Sequence, residues 1–305
     1  MRKLQHILSA TDLSASSLEA VDRGFLLAAE HGARHTVLHA LGLDALAPLR
    51  ALLGGQTAGV SARLIEQAQA ELTQAVAESA QAHGLQPQLV VEEGAVTDVL
   101  PRSATARDAD LLLVGAHGSG FLQRMLLGST TSQLLRKSRQ PVLVVKQEPR
   151  HAYRRALVPV DFSAASRACV ELARTVAPQA DLLLLHVFEV PFEGKMQFAG
   201  VGADVLLQYR SEMRERCVRQ LHELAAAAGL QPEDYTGVVL HGDAVREVIV
   251  HEERDHCDLI VMGKHGTHVT EELLLGSVTQ RVLAESQGDV LVVVDPKAAP
   301  VPTLA

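Results

Sequence analysis

The chain has 305 residues, a length that corresponds to two average domains or to one large domain. Its net charge of −8 and its 3% aromatic content argue against a protein that binds nucleic acid through a basic surface or through stacked aromatic side chains. Hydrophobic residues make up 47% of the chain, which predicts a packed core, and no apolar run reaches the roughly 18 residues of a membrane span. We therefore expect neither a nucleic-acid partner nor a membrane partner.

Five short runs of Leu and β-branched residues in the first half predict buried parallel strands, because none of them alternates with polar residues. They lie at 5–10, 34–40, 88–92, 110–114 and 141–145. The amphipathic, Ala-rich stretches between them predict helices at 16–31, 58–83, 96–107 and 129–139. Ser14 and Gly32 supply start and stop signals for the first helix, and a polar, proline-containing linker is predicted at 148–154.

The second half repeats the first at a nearly constant shift of 147–149 residues. Asp12 recurs as Asp161, and the run 110–118 recurs as 258–266. The repeated strands are predicted near 156–160, 181–187, 236–240, 258–262 and 290–294. We therefore predict an α/β protein of two tandem doubly wound domains, at 1–147 and 155–295, followed by a disordered tail at 296–305.

A glycine pattern follows the fourth strand of each copy, with the spacing G-x2-G-x9-G-S. It comprises Gly115, Gly118, Gly128 and Ser129 in the first copy, and Gly263, Gly266, Gly276 and Ser277 in the second. A glycine at the end of a strand lets backbone N–H groups approach a ligand, and the Gly-Ser pair opens a helix whose N-terminus attracts anions. The pattern predicts a phosphate site in each copy.

An aspartate ends the first strand of each copy, Asp12 in one and Asp161 in the other. In an open α/β sheet, ligands bind at the carboxyl ends of the strands where the strand order reverses. The aspartate and the glycine loop therefore face one crevice. We expect phosphates at the loop and a hydrogen-bond-donating base or sugar near the carboxylate.

These residues carry a family resemblance. The chain resembles, over both halves, a tandem member of the universal stress protein family, whose ATP-binding subgroup has the same glycine pattern and an early aspartate. The resemblance implies a five-stranded sheet in the order 3-2-1-4-5 in each domain, of the adenine nucleotide alpha hydrolase-like type. It also implies ATP or a related adenine nucleotide such as AMP or ADP, with Mg²⁺, in each cleft, and pairing of the domains through their fifth strands.

The resemblance also implies two sets of nucleotide-binding residues. The first site is expected to use Asp12, Ala40, Gly115, His117, Gly118, Gly128, Ser129, Thr130 and Thr131. The second is expected to use Asp161, Val187, Gly263, His265, Gly266, Gly276, Ser277, Val278 and Thr279. No catalytic residue and no protein-bound metal is predicted.

The two copies differ in ways that bear on these sites. Ala10-Thr11 and Thr130 of the first copy correspond to Pro159-Val160 and Val278 of the second. The loop residues Ala116, Gln123 and Arg124 correspond to Lys264, Glu271 and Glu272. From these charges we expect unequal nucleotide affinities and a greater dependence of the second site on Mg²⁺.

Other interpretations of the same residues stay open. The glycines are also explained by close helix–strand packing, the aspartates by helix capping, and His117 and His265 by solvent-facing loops. Neither the pair His35 and His39 nor the run 255–258 has a recognised metal-ligand spacing.

Cys169, Cys217 and Cys257 are widely spaced, with no C-x-x-C, and indicate reduced thiols in the cytoplasm. The apolar stretch at the start of the sequence is short and is broken by His6 and Asp12, so a signal peptide is not expected.

The sequence favours a stress-response regulatory protein that binds an adenine nucleotide and is non-catalytic or at most a slow ATPase. One alternative is an ATP-hydrolysing or nucleotidyl-transferring enzyme of the same superfamily. Against it, the sequence has no Walker A run G-x4-G-K-[ST], no S-G-G-x-D-S pyrophosphatase loop and no H-I-G-H motif. The second alternative is a scaffold whose clefts are empty or bind another ligand. Association of two chains into a homodimer is compatible with all of these.

Overall fold

The computed structural model describes residues 3–42, 57–117, 128–265 and 275–294. Each of the predicted strands is present. They are β1 (His6–Thr11), β2 (Arg34–Leu41), β3 (Gln88–Glu93), β4 (Leu111–Gly115), β5 (Val142–Val145), β6 (Arg155–Pro159), β7 (Asp181–Phe188), β8 (Tyr235–His241), β9 (Leu259–Gly263) and β10 (Asp289–Val293).

Helices connect successive strands within each copy, and a segment without a helix joins β5 to β6. They are α1 (Ala15–His31), α2 (Thr57–His83), α3 (Val96–Ala106), α4 (Ser129–Lys137), α5 (Ala164–Val176), α6 (Glu193–Phe198), α7 (Ala203–Ala227), α8 (Ala244–Arg254) and α9 (Ser277–Glu285). The predicted limits of α1 are confirmed: the Ser14 hydroxyl accepts a hydrogen bond from the backbone N–H of Ser17, and Gly32 ends the helix with a φ of 64°. The short helix α6 has no counterpart in the prediction.

Two compact units divide the chain. The first is formed by the described part of 1–152 together with Asp289–Val292, and the second by 153–288 with the described part of 293–305. The predicted limits, 1–147 and 155–295, place β10 wholly in the second domain, whereas its contacts group most of it with the first. The predicted tail at 296–305 lies outside the described residues.

The first unit contains the parallel order β3-β2-β1-β4-β5 that the resemblance implied. β10 pairs with β5 in the antiparallel direction, with Leu291 opposite Leu143. In the second unit, four strands follow the same parallel order, β8-β7-β6-β9. Every residue of β1, β4 and β5 is buried, as expected for strands that helices cover on both faces.

A buried ion pair fixes β10 to the first unit. The Arg23 Nε on α1 lies 3.2 Å from the Asp289 Oδ2, and the two side chains are 4% and 0% exposed. Asp289 Oδ1 also accepts hydrogen bonds from the backbone N–H groups of Lys146 and Gln147, and the guanidinium of Arg23 donates to the carbonyl of His151. Burying both charges is tolerated because each is paired and hydrogen-bonded.

A second buried polar group lies between α1 and the sheet. His35 is almost fully enclosed, its Nε2 lies 2.9 Å from the Ser9 Oγ, and its ring meets the edge of Phe25 at 4.7 Å. The position of Gly24 allows this packing, since a Cβ there would lie 2.5 Å from the His35 Nε2. Burial, followed by the nearby His6 and His83, lowers the pKa of His35 to about 3.

We predict that Asp289→Asn lowers the free energy of unfolding by about 3–5 kcal/mol, because it leaves the Arg23 charge buried without a counter-charge. The matched control is Glu148→Gln, which removes an exposed ion pair with Arg150 and should leave the free energy of unfolding almost unchanged. Urea denaturation of the two variants and the parent chain measures both changes. Equal stabilities of the two variants would contradict the prediction.

The neutral state of His35 predicts a loss of stability in acid. Its folded pKa lies below that of the unfolded chain, about 6.5, so the unfolded state takes up the proton first as the pH falls. The contribution of neutral His35 to the free energy of unfolding is therefore complete above a pH of about 6.5. It is lost progressively as the pH falls towards the folded pKa of about 3. At pH 4.5 the loss should be roughly 2–3 kcal/mol. His35→Gln should flatten the dependence of unfolding free energy on pH in this range, whereas the same substitution at the exposed His151 should leave it unchanged.

Candidate functional site

Each unit has a cleft at the carboxyl ends of its strands. The first, cleft 1, has a volume of about 530 Å³, and the second, cleft 2, about 320 Å³. Cleft 1 is lined by the predicted residues Asp12, Ala40, Gly115, His117, Gly128, Ser129, Thr130 and Thr131. Cleft 2 is lined by the predicted residues Asp161, Val187, Gly263, His265, Gly276, Ser277, Val278 and Thr279.

Some predicted positions lie outside the described residues. These are Gly118 and Gly266 of the two motifs and the loop residues Gln123, Arg124, Glu271 and Glu272. Of the loop positions that the structure describes, Ala116 and Lys264 are buried and are not among the residues that line the clefts.

The aspartate at the base of each cleft is set by a tight turn. The residue that follows it, Leu13 in one copy and Phe162 in the other, has a left-handed backbone with φ of 66° and 61°. This conformation is costly for such side chains and is typical of functional sites. In both copies the turn brings the backbone N–H of the serine two residues on, Ser14 or Ser163, to the aspartate Oδ1 at 3.0–3.1 Å.

A histidine on the neighbouring strand supports the turn in both copies. The His39 Nδ1 donates to the carbonyl of Thr11, and the His186 Nδ1 donates to that of Val160, each at 2.8 Å. Burial lowers the pKa of His186, which is therefore neutral at pH 7. Sequence reasoning did not assign these two residues to the site, although their equivalent places in the repeat were a usable signal.

The opposite wall of each cleft is the N-terminus of a helix. The Thr131 hydroxyl of α4 donates to the carbonyl of Gly115 at 3.0 Å, and the Thr279 hydroxyl of α9 donates to that of Gly263 at 2.9 Å. The hydrogen bonds hold the first turn of the helix against the end of the fourth strand. The first backbone N–H groups of a helix have no partner within it, and they carry its positive dipole end, so this wall can bind an anion.

The hydrogen bonds around the aspartate differ between the clefts. In the first copy the Ser17 hydroxyl lies 2.9 Å from the Thr11 hydroxyl and donates to the carbonyl of Ser14. Val160 replaces Thr11 in the second copy, and the hydroxyl of Ser166 donates instead to the Asp161 Oδ1 at 2.8 Å. Where Val160 has a methyl group in place of the Thr11 hydroxyl, the serine hydroxyl therefore bonds to the aspartate carboxylate instead.

Further lining residues were not among the predicted nucleotide-binding residues, although the sequence already showed that Ala10-Thr11 and Pro159-Val160 differ between the copies. These further residues are Ala10, Thr11, Ser17, Leu38, Gly42, Gly94, Val96, Leu100, Val114 and Leu134 in cleft 1, and Pro159, Val160, Ser163, Ala165, Ser166, Leu185, Ala244, Val248 and Met262 in cleft 2. Most are apolar, as is usual in small-molecule sites. They are hard to distinguish in a sequence from ordinary core positions.

The glycines that end the fourth strands also have a packing function. A Cβ on Gly115 would lie 2.7 Å from the backbone oxygen of Ser16 on α1, closer than real Cβ atoms approach. On Gly263 the nearest atom, the backbone oxygen of His265, would be 3.1 Å away. The packing interpretation of Gly115 is thus correct, and it is compatible with a ligand in the cleft.

Groups that could bind a metal or react as thiols were also located. Within the described ranges, no cluster of three or more His, Cys, Asp or Glu side chains has the geometry of a metal site. The cysteines are buried free thiols, and burial, with the nearby Asp255, raises the pKa of Cys257 to about 12. Among the described helices, none is long and apolar enough to cross a membrane.

The comparisons with known proteins agree with one another. The model of the universal stress protein family matches residues 3–146 and again 152–294. A universal stress protein of Mycolicibacterium smegmatis is 29% identical over 299 residues, which cover 94% of this chain and 96% of that protein. The structure of a universal stress protein from Archaeoglobus fulgidus aligns with a TM-score of 0.63 at 20% identity, over 95% of this chain and 98% of that one. Another universal stress protein, solved in complex with cAMP, is 28% identical with a TM-score of 0.34, over 47% of this chain and 98% of that one.

We predict that Gly115→Ala destabilises the protein more than Gly263→Ala does. The added methyl would lie 2.7 Å from the nearest backbone atom at Gly115 and 3.1 Å from the nearest backbone atom at Gly263. Overpacking of this kind costs about 1–3 kcal/mol. Chemical denaturation of the two variants measures the difference, and a larger loss for Gly263→Ala would refute the geometric explanation.

Proposed function

The chain belongs to the universal stress protein family, and we propose that it is a regulatory protein of the stress response that binds an adenine nucleotide, ATP with Mg²⁺, in each of its two clefts. The observation that carries this proposal is the recurrence of one arrangement in both units. An aspartate held by a left-handed turn faces a helix N-terminus opened by Gly-Ser. A carboxylate that accepts hydrogen bonds and a wall that attracts anions are complementary to a base and to phosphates.

The two ends of the cleft have separate roles in this proposal. Asp12 and Asp161 accept a hydrogen bond from a donor on the base or sugar, near Ala40 and Val187 of the neighbouring strand. The N-termini of α4 and α9 bind the phosphates through backbone N–H groups and the hydroxyls of Ser129 and Ser277. When the nucleotide is bound, Mg²⁺ would offset the phosphate charge, since phosphate oxygens and water molecules are its usual ligands in such sites.

The side chains at the clefts favour binding over catalysis. Among the described lining residues, the titratable ones are Asp12 and His117 in cleft 1 and Asp161 and His265 in cleft 2. The aspartate accepts hydrogen bonds from its own turn, which suits recognition and not the activation of a nucleophile. We therefore propose that nucleotide occupancy, and not turnover, is the signal.

The proposal extends to assembly and location. We propose that the two domains pair within one chain through their fifth strands, and the antiparallel pairing of β5 and β10 supports this. We propose that it replaces pairing between separate chains, and that the protein acts in the cytoplasm, where its three thiols stay reduced.

We predict that isothermal titration with MgATP gives two bound nucleotides per chain. Ser129→Glu and Ser277→Glu should each abolish one site, with a loss of affinity of at least about 100-fold, because a carboxylate at the phosphate position repels the ligand. Glutamate is favourable in the first turn of a helix, so the fold should be retained, as circular dichroism will show. The double variant should bind no ATP.

The same preparations test the alternatives. A parent chain that binds no adenine nucleotide would refute the proposal and favour the scaffold hypothesis. Accumulation of ADP with a turnover rate of about one per second or faster would favour the ATP-hydrolysing alternative. Unchanged stoichiometry in both glutamate variants would show that the nucleotide lies elsewhere.

A further inference from the structure

We propose that the two clefts are specific for nucleotides of different phosphate length: cleft 1 prefers a nucleoside triphosphate, and cleft 2 binds a nucleoside monophosphate at least as well as a triphosphate. This inference rests on the proposed function and adds the ligand class of each site. The first observation that supports it is the difference in volume, about 530 Å³ against 320 Å³.

The end of the cleft where the base would lie is narrower and shorter in cleft 2 than in cleft 1. Ala40 on β2 is replaced by the larger Val187 on β7. The lining of cleft 1 also continues to Gly42 and Gly94, beyond the ends of β2 and β3. Their counterparts in the repeat, Glu189 and Gly242, are not among the residues that line cleft 2. Cleft 1 therefore has more room than cleft 2 at the end where the base would lie, which leaves more of the cleft for phosphates.

Among the residues that the structure describes, the phosphate end of cleft 2 has fewer exposed hydroxyl groups than that of cleft 1. Thr131 and Thr279 use their hydroxyls to bind the fourth strand, so they do not distinguish the clefts. In the first turn of α4, Ser129 and Thr130 are both exposed and both carry a hydroxyl. In α9 only Ser277 does, because the next residue is Val278, an apolar side chain that is 38% exposed in this wall.

These differences affect a triphosphate more than a monophosphate. A single phosphate can be bound by the helix N-terminus and one serine, which both clefts have. Each additional phosphate needs further donors, and hydrogen bonds to charged groups contribute more than neutral ones. Cleft 2 offers an isopropyl group where cleft 1 offers a second hydroxyl, so the gain from the added phosphates is smaller there.

The test uses chains with one working cleft. Ser277→Glu isolates cleft 1 and Ser129→Glu isolates cleft 2, and each is titrated with ATP and with AMP in the presence of Mg²⁺. We expect cleft 1 to bind ATP at least about tenfold more tightly than AMP. In cleft 2 we expect AMP to bind as tightly as ATP or more tightly.

Reciprocal substitutions provide the matched control. Val278→Thr, in the chain that retains cleft 2, should raise the affinity for ATP about five- to tenfold with little effect on AMP. Thr130→Val, in the chain that retains cleft 1, should lower the affinity for ATP by a similar factor. Both positions are exposed on a helix surface, so neither change should unfold the protein, and thermal unfolding checks this.

The outcomes separate this inference from the proposed function. Equal ratios of ATP to AMP affinity in the two clefts, or swaps that leave the ratios unchanged, would overturn the inference while nucleotide binding stands. Absence of binding by either nucleotide in both clefts would overturn the proposed function and this inference together.

Discussion

Apart from β3 and β8, the parallel strands of both units have buried centres, and this constraint determines where the protein can have chemistry. A strand such as β1 or β4, buried along its whole length, leaves no place for an exposed polar group except at its end. The carboxyl ends of neighbouring parallel strands lie at one edge, and the helices that follow them begin there. Asp12 and the N-terminus of α4 therefore meet at one cleft although more than 100 residues separate them in the chain.

The fold was largely predictable because the signals for it are local and occur twice. Unbroken apolar runs, the helix cap at Ser14 and the glycine pattern predict strand, helix and cleft from short windows of sequence, and the repeat confirms each assignment with a second copy. The grouping of β10 with the first unit was not predictable in this way. It depends on long-range contacts, namely the antiparallel pairing of β10 with β5 and the ion pair of Arg23 and Asp289. Arg23 and Asp289 have no charged counterparts at the equivalent positions of the other copy, where Leu172 and Pro141 stand.

The finer structure of the sites was not predictable because it depends on which of several partners a side chain selects. Ser17 and Ser166 occupy equivalent positions and have the same chemistry, yet one bonds to Thr11 and the other to Asp161. The cause is a hydroxyl on the neighbouring strand, present in Thr11 and absent in Val160. A sequence pattern identifies the serine as a polar residue after a strand. It does not determine the direction of its hydrogen bond, which is set by packing in three dimensions.

The recurrence of a residue in both copies has different weight at different positions. Gly115 is required by the approach of α1 whatever the cleft contains, so it would persist in an empty cleft as well. Ser129 and Ser277 are exposed in the first turn of their helices, where most residue types fit. The copies have diverged elsewhere, to the extent that residues 151–305 carry 22 acidic residues against 14 in residues 1–150. Ser129 and Ser277 therefore support the proposed phosphate sites more directly than the glycines do, because packing explains Gly115 and does not explain an exposed serine that recurs in both copies.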